Sequence, residues 1–188
     1  MKSVFASIIV IIILTGSYFY FKNNNSNQNG IEFAPLDFSK SESESEPKQS
    51  AREVPKGARE YKSDTYDFSL FYPEAMTVKE FKESSGASTI TFENIKGAQG
   101  FQIFITPYSE AQVSEERFAK DLPSGVRLDL KTIVVDGATG AAFYSRDALL
   151  GETREIWFIH NNYLFELTTL KPLENLLSEI VGTWEFEK

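Results

Sequence analysis

The segment from residue 153 to residue 169 limits the possible fold more than any other part of the chain. Two strand-like runs, TREIWFIH and YLFELTT, are separated by Asn161 and Asn162. Asparagine tolerates the positive φ angles of a two-residue type I′ turn, so the segment is predicted to form a β-hairpin. The turn predicts these opposed pairs: on one face His160 with Tyr163, Phe158 with Phe165 and Ile156 with Leu167, and on the other Trp157 with Glu166 and Ile159 with Leu164.

Both faces of this hairpin carry large apolar side chains, so both must be covered by other elements of the domain. Helices are therefore expected on each side of a mainly antiparallel sheet. Short runs rich in aromatic and β-branched residues predict the other strands. The predicted strands are Phe68 to Tyr72, Thr77 to Phe81, Ser88 to Glu93, Phe101 to Thr106, Lys131 to Asp136, Ala141 to Arg146, Thr153 to His160 and Tyr163 to Thr169.

Two helices are predicted. The first runs from Ser114 to Leu122, with acidic residues in its first turn, and ends before a Pro-Ser-Gly sequence. The second begins with Pro172 in its first turn and ends near Val181, with leucines and isoleucine spaced along one face. The TWEFEK sequence that follows alternates aromatic and charged residues, which indicates a short closing strand or a docked tail. The fold class predicted is α+β.

The run from Val4 to Phe21 contains 18 residues and no charge. As a helix it would be roughly 27 Å long, which matches the hydrocarbon core of a membrane. Lys2 and Lys22 bracket the run, and aromatic residues occupy its second end, as at a membrane interface. Residues 1–21 are therefore predicted to be a single-pass transmembrane anchor. A cleaved signal peptide and a buried helix of a globular domain are the alternatives.

Residues 22–60 have the composition of a disordered polar linker. The segment opens with NNNSNQNG, contains SESESEP and has three prolines. The exception is IEFAPLDF, at residues 31–38, whose apolar residues either dock on the domain or a partner or are stray residues of a coil. Residues 61–188 remain as one folded domain, which is expected to lie outside the cytoplasm because the short leader before the apolar run behaves like an uncleaved signal.

Composition excludes several classes of function. The chain has no cysteine, so disulfides, zinc ribbons, iron–sulfur clusters, thiol catalysis and a lipidated cysteine are excluded. Its formal net charge is -8 at pH 7. That charge disfavours general binding to nucleic acid, because such binding requires cationic groups that replace counterions.

Four segments, taken in order, resemble the PsbP-like family, which is named for a subunit of the oxygen-evolving complex and shares its fold with a yeast nuclear-transport factor of the Mog type. The segments are YDFSLFYPEAMTV, VVDGATGAAFY, IWFIHNNYLFELT and LENLLSEIVGTWEF. Their order and spacing, rather than any one motif, carry the resemblance, which covers most of residues 64–188. The resemblance implies a three-layer α/β/α sandwich around an antiparallel sheet. The family includes accessory subunits and many uncharacterised membrane-tethered bacterial proteins, so the resemblance implies no particular activity.

A catalytic histidine would have to be His160, the only one in the chain. It is predicted to be a structural residue beside the Asn-Asn turn. Ser84, Ser85 and Ser88 lie in an ESSGAS sequence without the Gly-x-Ser-x-Gly pattern of a nucleophile elbow. The sequence therefore predicts no catalytic residue.

Metal binding through oxygen ligands would have to use aspartates and glutamates near turns. The candidates are Asp64, Asp67, Asp147, Glu152 and Glu155, and none follows the spacing of a calcium loop, so solvated charges are expected. The DGATG sequence from Asp136 to Gly140 lacks the lysine of a phosphate-binding loop and is predicted to be a hairpin turn. No cofactor is expected.

These observations predict a membrane-tethered, extracytoplasmic, non-catalytic binding or accessory module. Its expected partners are the membrane, through the N-terminal helix, and a protein of the envelope. A small-ligand carrier with a pocket between sheet and helix is one alternative, and a tethered hydrolase with paired carboxylates is another. The sequence predicts no particular oligomeric state.

Overall fold

The computed structural model describes residues 52–147 and 151–187. The predicted anchor at 1–21 and most of the predicted linker lie outside these residues. Within the described part of the chain, no helix is long and apolar enough to cross a membrane.

A seven-stranded antiparallel sheet forms the centre of the domain. Its strand order is β3-β4-β5-β9-β8-β7-β6, so β9 is the middle strand and β3 and β6 are the two edges. The strands are β3 (Thr77–Lys82), β4 (Ser88–Asn94), β5 (Gln99–Pro107), β6 (Leu128–Val135), β7 (Ala138–Asp147), β8 (Gly151–His160) and β9 (Tyr163–Leu170). All eight predicted strands are present, the remaining one being β2 (Phe68–Pro73) outside this sheet.

The hairpin of β8 and β9 has the predicted register. His160 pairs with Tyr163, Phe158 with Phe165, and Trp157 with Glu166. Asn161 and Asn162 have φ angles of 46° and 61°, which are those of a type I′ turn. Because this turn is only two residues long, its local chemistry sets the alignment of both central strands.

A second, three-stranded sheet has the order β1-β2-β10, where β1 is Ala58–Ser63 and β10 is Glu185–Phe186. It was not expected, because AREYKS in β1 is polar, and because β10 and its partner β2 are far apart in the sequence. The predicted domain boundary at residue 61 falls inside β1. Arg52 also contacts the domain: its Nη1 donates to the Thr183 carbonyl over 2.7 Å, and its guanidinium lies 4.2 Å above the Phe71 ring.

Two helices are present at the predicted places. Helix α1 (Glu115–Asp121) has Ser114 as its N-cap, and the Ser114 hydroxyl accepts a hydrogen bond from the Arg117 amide. Helix α2 (Glu174–Val181) follows a 3₁₀ turn at Lys171–Leu173, so Pro172 lies in that turn rather than in the α-helix itself.

The central sheet is covered on both faces, as the sequence predicts, but not by helices alone. Helix α1 packs on one face, where Phe118 stacks on Trp157 with ring centroids 4.9 Å apart. The small sheet and α2 together cover the other face. Strand β2 takes a helix's place there because its alternate side chains Phe68, Leu70 and Tyr72 are buried in the core against the central sheet.

The larger core lies between the two sheets and is rich in aromatic rings. Phe68 stacks on Trp184 at 4.2 Å, and Phe158 stacks on Phe165 at 5.1 Å. Phe186 of β10 closes one end of this core, with its ring 3.5 Å from that of His160. The C-terminal strand therefore completes the packing between the sheets.

Candidate interaction surface

His160 lies at the end of β8, beside the Asn-Asn turn, as predicted. Its ring is half-buried because it stacks on Phe186 at an interplanar angle of 12°. Burial lowers the pKa of His160, and the carboxylates of Asp136 and Asp67 oppose this shift. The lowered pKa favours the neutral form of the imidazole, and a neutral ring stacked on Phe186 fits a packing role for this side chain.

The DGATG sequence forms the β6–β7 turn, in which Asp136 and Gly137 have φ angles of 41° and 83°. The prediction of a hairpin turn is confirmed. Asp136 also has a contact that the sequence did not predict, since its Oδ2 accepts a hydrogen bond from the Phe186 amide over 2.7 Å. This turn therefore fixes β10 to the end of the central sheet.

Among the serine candidates, Ser85 and Ser88 form hydrogen bonds with groups other than His160. Ser84 and Ser85 lie between β3 and β4, and the Ser85 hydroxyl accepts from the Ala87 amide. Ser88 is buried at the start of β4, where its Oγ accepts from the Tyr66 hydroxyl over 2.6 Å. Each of these contacts stabilises a local turn or strand end.

The acidic candidates do not form a metal site. In the described ranges, no group of three or more His, Cys, Asp or Glu residues could hold a metal ion. Glu152 is paired with Lys171 at 2.9 Å and Arg146 at 3.7 Å on the surface. Asp64 is exposed, and Asp67 occupies the β1–β2 turn with a φ angle of 52°.

Glu155 departs from its predicted role. The prediction of a solvated charge is wrong, because Glu155 is only 4% exposed. Its carboxylate accepts hydrogen bonds from Thr153 and Thr168, both at 2.7 Å, and from the Trp157 indole at 3.3 Å. Burial raises the pKa of Glu155, while these three donors oppose the rise. The place of Glu155 on the same face of β8 as Trp157, two residues later, was the sequence signal of this burial.

Glu166 is a second buried carboxyl on the same face of the sheet, beneath α1. Its Oε1 accepts from Arg117 Nη2 at 3.3 Å, and Arg117 also pairs with Asp121 one helical turn later. Burial raises the pKa of Glu166 well above its usual range, Asp121 raises it further, and Arg117 lowers it. These contacts attach α1 to the centre of the sheet.

The strongest candidate for binding is the edge formed by β6. Leu128, Leu130 and Val134 are 46%, 55% and 68% exposed, although they belong to one β-strand. Large apolar residues that stay exposed along one strand are typical of a protein interaction site. Within the described residues, no strand lies beside β6 on its outer side.

The opposite edge of the same sheet is built differently. Strand β3 reads TVKEFK, and its exposed residues include Lys79, Glu80 and Lys82. Charged residues, lysine above all, protect an edge strand from pairing with another chain. Strand β6 carries one lysine, Lys131, at the start of its regular part and no charge from Thr132 to Val135, so the two edges differ in their capacity to accept a strand.

The alternation of hydrogen-bonded and non-hydrogen-bonded pairs in the β6–β7 hairpin determines which backbone groups of β6 are free. Val135 and Ala138 flank the two-residue turn and exchange both hydrogen bonds, and the same holds for Ile133 with Gly140. The amides and carbonyls of the alternate residues, Thr132 and Val134, therefore point away from β7. A bulge between Leu128 and Lys131 ends the regular ladder.

Charges beside the β6 edge are already neutralised within the chain. Lys131 Nζ lies 2.8 Å from Asp129. Arg127 makes two hydrogen bonds to Glu115, at 2.9 and 2.5 Å. The edge is therefore close to neutral in a chain whose net charge is -8.

The sequence predicted a strand here but could not show its exposure. The run KTIVVD reads as an ordinary buried strand, since nothing local tells an edge strand from an inner one. Only the order of strands in the sheet identifies β6 as an edge.

Comparison with known proteins gives a fold and no family. No family model matches the chain, and no curated protein matches it. Among solved structures, it is similar to the solution structure of cyanobacterial PsbP from Synechocystis sp. PCC 6803, with a TM-score of 0.50 and 12% sequence identity. The match covers 69% of this chain and 92% of that chain. The described domain is therefore PsbP-like in fold.

Proposed function

We propose that this chain is a non-catalytic accessory or binding module, tethered to the membrane by residues 1–21, whose domain binds an envelope protein outside the cytoplasm. The observation that carries the proposal is the free, apolar edge of β6. A domain with an open edge strand can accept a strand from a partner, whose backbone then supplies affinity and whose side chains supply specificity.

A non-catalytic role is supported by the state of the side chains that catalysis would need. His160 is stacked on Phe186, and Ser88 is buried against Tyr66. The buried carboxyls of Glu155 and Glu166 are occupied by hydrogen bonds or ion pairs from their own domain. General acid–base catalysis requires such a group within hydrogen-bonding reach of a substrate.

The tether is supported by the uncharged run from Val4 to Phe21 and by the polar segment that follows it. As a flexible coil, the 30 residues from 22 to 51 would span roughly 30 Å, enough to hold a domain away from lipid headgroups. Protease added to intact cells is expected to release a fragment of about the domain's size. Release only after lysis would show that the orientation is the reverse.

The binding role is tested by photo-cross-linking in intact membranes. A benzophenone amino acid is placed at Leu130 on β6 in the full chain, and the same amino acid at Lys82 on β3 is the matched control. A discrete adduct at Leu130 and none at Lys82 is expected. Absence of any adduct at Leu130, in a protein that is folded and correctly oriented, would overturn the proposed binding edge.

A further inference from the structure

We infer that the partner at the β6 edge is a second copy of this chain, paired antiparallel to the first about a two-fold axis that passes through Thr132. The inference rests on the proposed binding role of β6 and names its partner. Two central sheets would then continue across the two-fold axis as one. Such an isologous contact is self-limiting, because both copies use the same strand.

The hydrogen-bonding phase of β6 allows this pairing. The outward-facing backbone groups of the regular part belong to Thr132 and Val134, and Leu130 lies beside them at the bulge. In a two-fold arrangement centred on Thr132, the outward-facing groups of the two Thr132 residues lie opposite each other. Both hydrogen bonds of this pair can then form, as in any antiparallel ladder.

The side chains of β6 are complementary to themselves in this register. Leu130 lies opposite Val134 of the second copy, and the symmetry repeats the pair on the other side of Thr132. These two residues are 55% and 68% exposed in one copy. Apolar cross-strand pairs of this kind add to the stability that the backbone hydrogen bonds supply.

Charge selects the same register. Centring on Thr132 places Lys131 opposite Ile133, whereas a shift of the axis to Lys131 would place two lysines opposite each other, which is destabilising. Lys131 is also neutralised by its own Asp129. Two acidic domains can thus meet here without bringing their excess negative charge into the contact.

The edge at β3 cannot be used in this way. Lys79, Glu80 and Lys82 occupy three of its six positions, and a two-fold contact would oppose charged groups along the strand. Anchors in one membrane would in addition keep two copies at a high effective concentration, so that a modest contact is sufficient for pairing.

The test uses the absence of cysteine from the chain. In the full chain in its own membrane, Thr132→Cys introduces one thiol, which the two-fold axis places opposite its counterpart. Paired residues in an antiparallel ladder have Cα atoms about 4.5–5.5 Å apart, within the range of about 4.4–6.8 Å that a disulfide requires. Mild oxidation is expected to convert Thr132→Cys to a covalent dimer.

The matched control is Thr77→Cys, because Thr77 is an exposed threonine on the opposite edge strand. Dimer formation by Thr77→Cys is expected to be at least about tenfold lower. Adding Val134→Lys to Thr132→Cys should lower dimer formation by about tenfold, which corresponds to about 1.4 kcal/mol of association free energy.

A second measurement tests the register. Differently tagged copies with Leu130→Cys and Val134→Cys are expected to cross-link to each other more than either does to itself. The inference is overturned if Thr132→Cys dimerises no more than Thr77→Cys. It is also overturned if the thiol at position 132 or the photoprobe at position 130 links to a different polypeptide, an outcome that leaves the proposed binding role intact. Loss of every adduct at β6 would instead remove both.

Discussion

Replacement of Phe158 by alanine tests the centre of the fold. Phe158 is fully buried and stacks on Phe165 at 5.1 Å. Its ring also contacts Trp184 edge-on at 5.2 Å and Phe186 at 6.1 Å. Truncation of a buried Phe costs about 3–5 kcal/mol, and three aromatic partners place Phe158→Ala near the top of that range.

The matched control is Phe158→Leu, which keeps most of the volume but removes the ring contacts. We expect a cost of about 1–2 kcal/mol for this variant. The difference between the two substitutions separates the cavity from the aromatic contacts. Both are measured as free energies of unfolding by urea, in a fragment of residues 52–188, with tryptophan fluorescence as the signal because Trp184 lies against the mutated site.

A cost below about 1 kcal/mol for Phe158→Ala would refute the reasoning, because a surface residue gives such a value. The alternation of β8 would then place Phe158 outside the core, and the register inferred from the Asn-Asn turn would fail with it. A cost of similar size for both variants would show that ring contacts, rather than filled volume, dominate.

Three further outcomes are expected in the same fragment. His160→Asn should cost only about 1 kcal/mol, since a half-buried ring on Phe186 is lost, and a cost equal to that of Phe158→Ala would contradict its peripheral place. Glu155→Gln should gain stability relative to the parent as pH rises above about 4.5, the usual pKa of a glutamate, because the raised pKa of Glu155 makes the stability of the parent fall as pH rises. Urea midpoints that differ by the same amount at every pH would argue against it. A fragment that begins at residue 61 should unfold at lower urea than one that begins at Arg52, as it lacks half of β1, and equal midpoints would show that these residues add nothing.

Much of the central sheet could be predicted from sequence because its signals are local. The Asn161–Asn162 turn sets the β8–β9 register, and the Asp136–Gly137 turn does the same for β6 and β7. Each turn is short, so the residues that determine it are neighbours in the chain. The two helices were predicted for the same reason, from their caps and apolar spacing.

The small sheet could not be predicted because its pairing is not local. Strand β2 was recognised as a strand, but its partner β10 is distant from it in the sequence and has only two residues. Strand β1 has the polar sequence AREYKS, which is equally typical of a coil. The expectation of a second helical layer failed in part for this reason.

The exposed edge at β6 and the buried carboxyls were missed for a related reason. Whether Val134 is buried depends on the order of the strands, and whether Glu155 is solvated depends on hydroxyls from Thr153 and Thr168. A single sequence records the chemistry of these side chains but not which of them meet. His160 is similar, because its stacking partner Phe186 is distant in the chain.

The place of β10 has a consequence for how the protein is made. Trp184 and Phe186 fill the space between the two sheets, and Phe186 pairs with Phe68 of β2. Strands that emerge earlier from the ribosome therefore cannot close the core until residue 186 has been synthesised, and contacts so far apart in sequence form slowly. The incomplete domain meanwhile exposes aromatic surface, which favours aggregation. In the proposed extracytoplasmic location, the core would close only after residues 184–186 had also crossed the membrane.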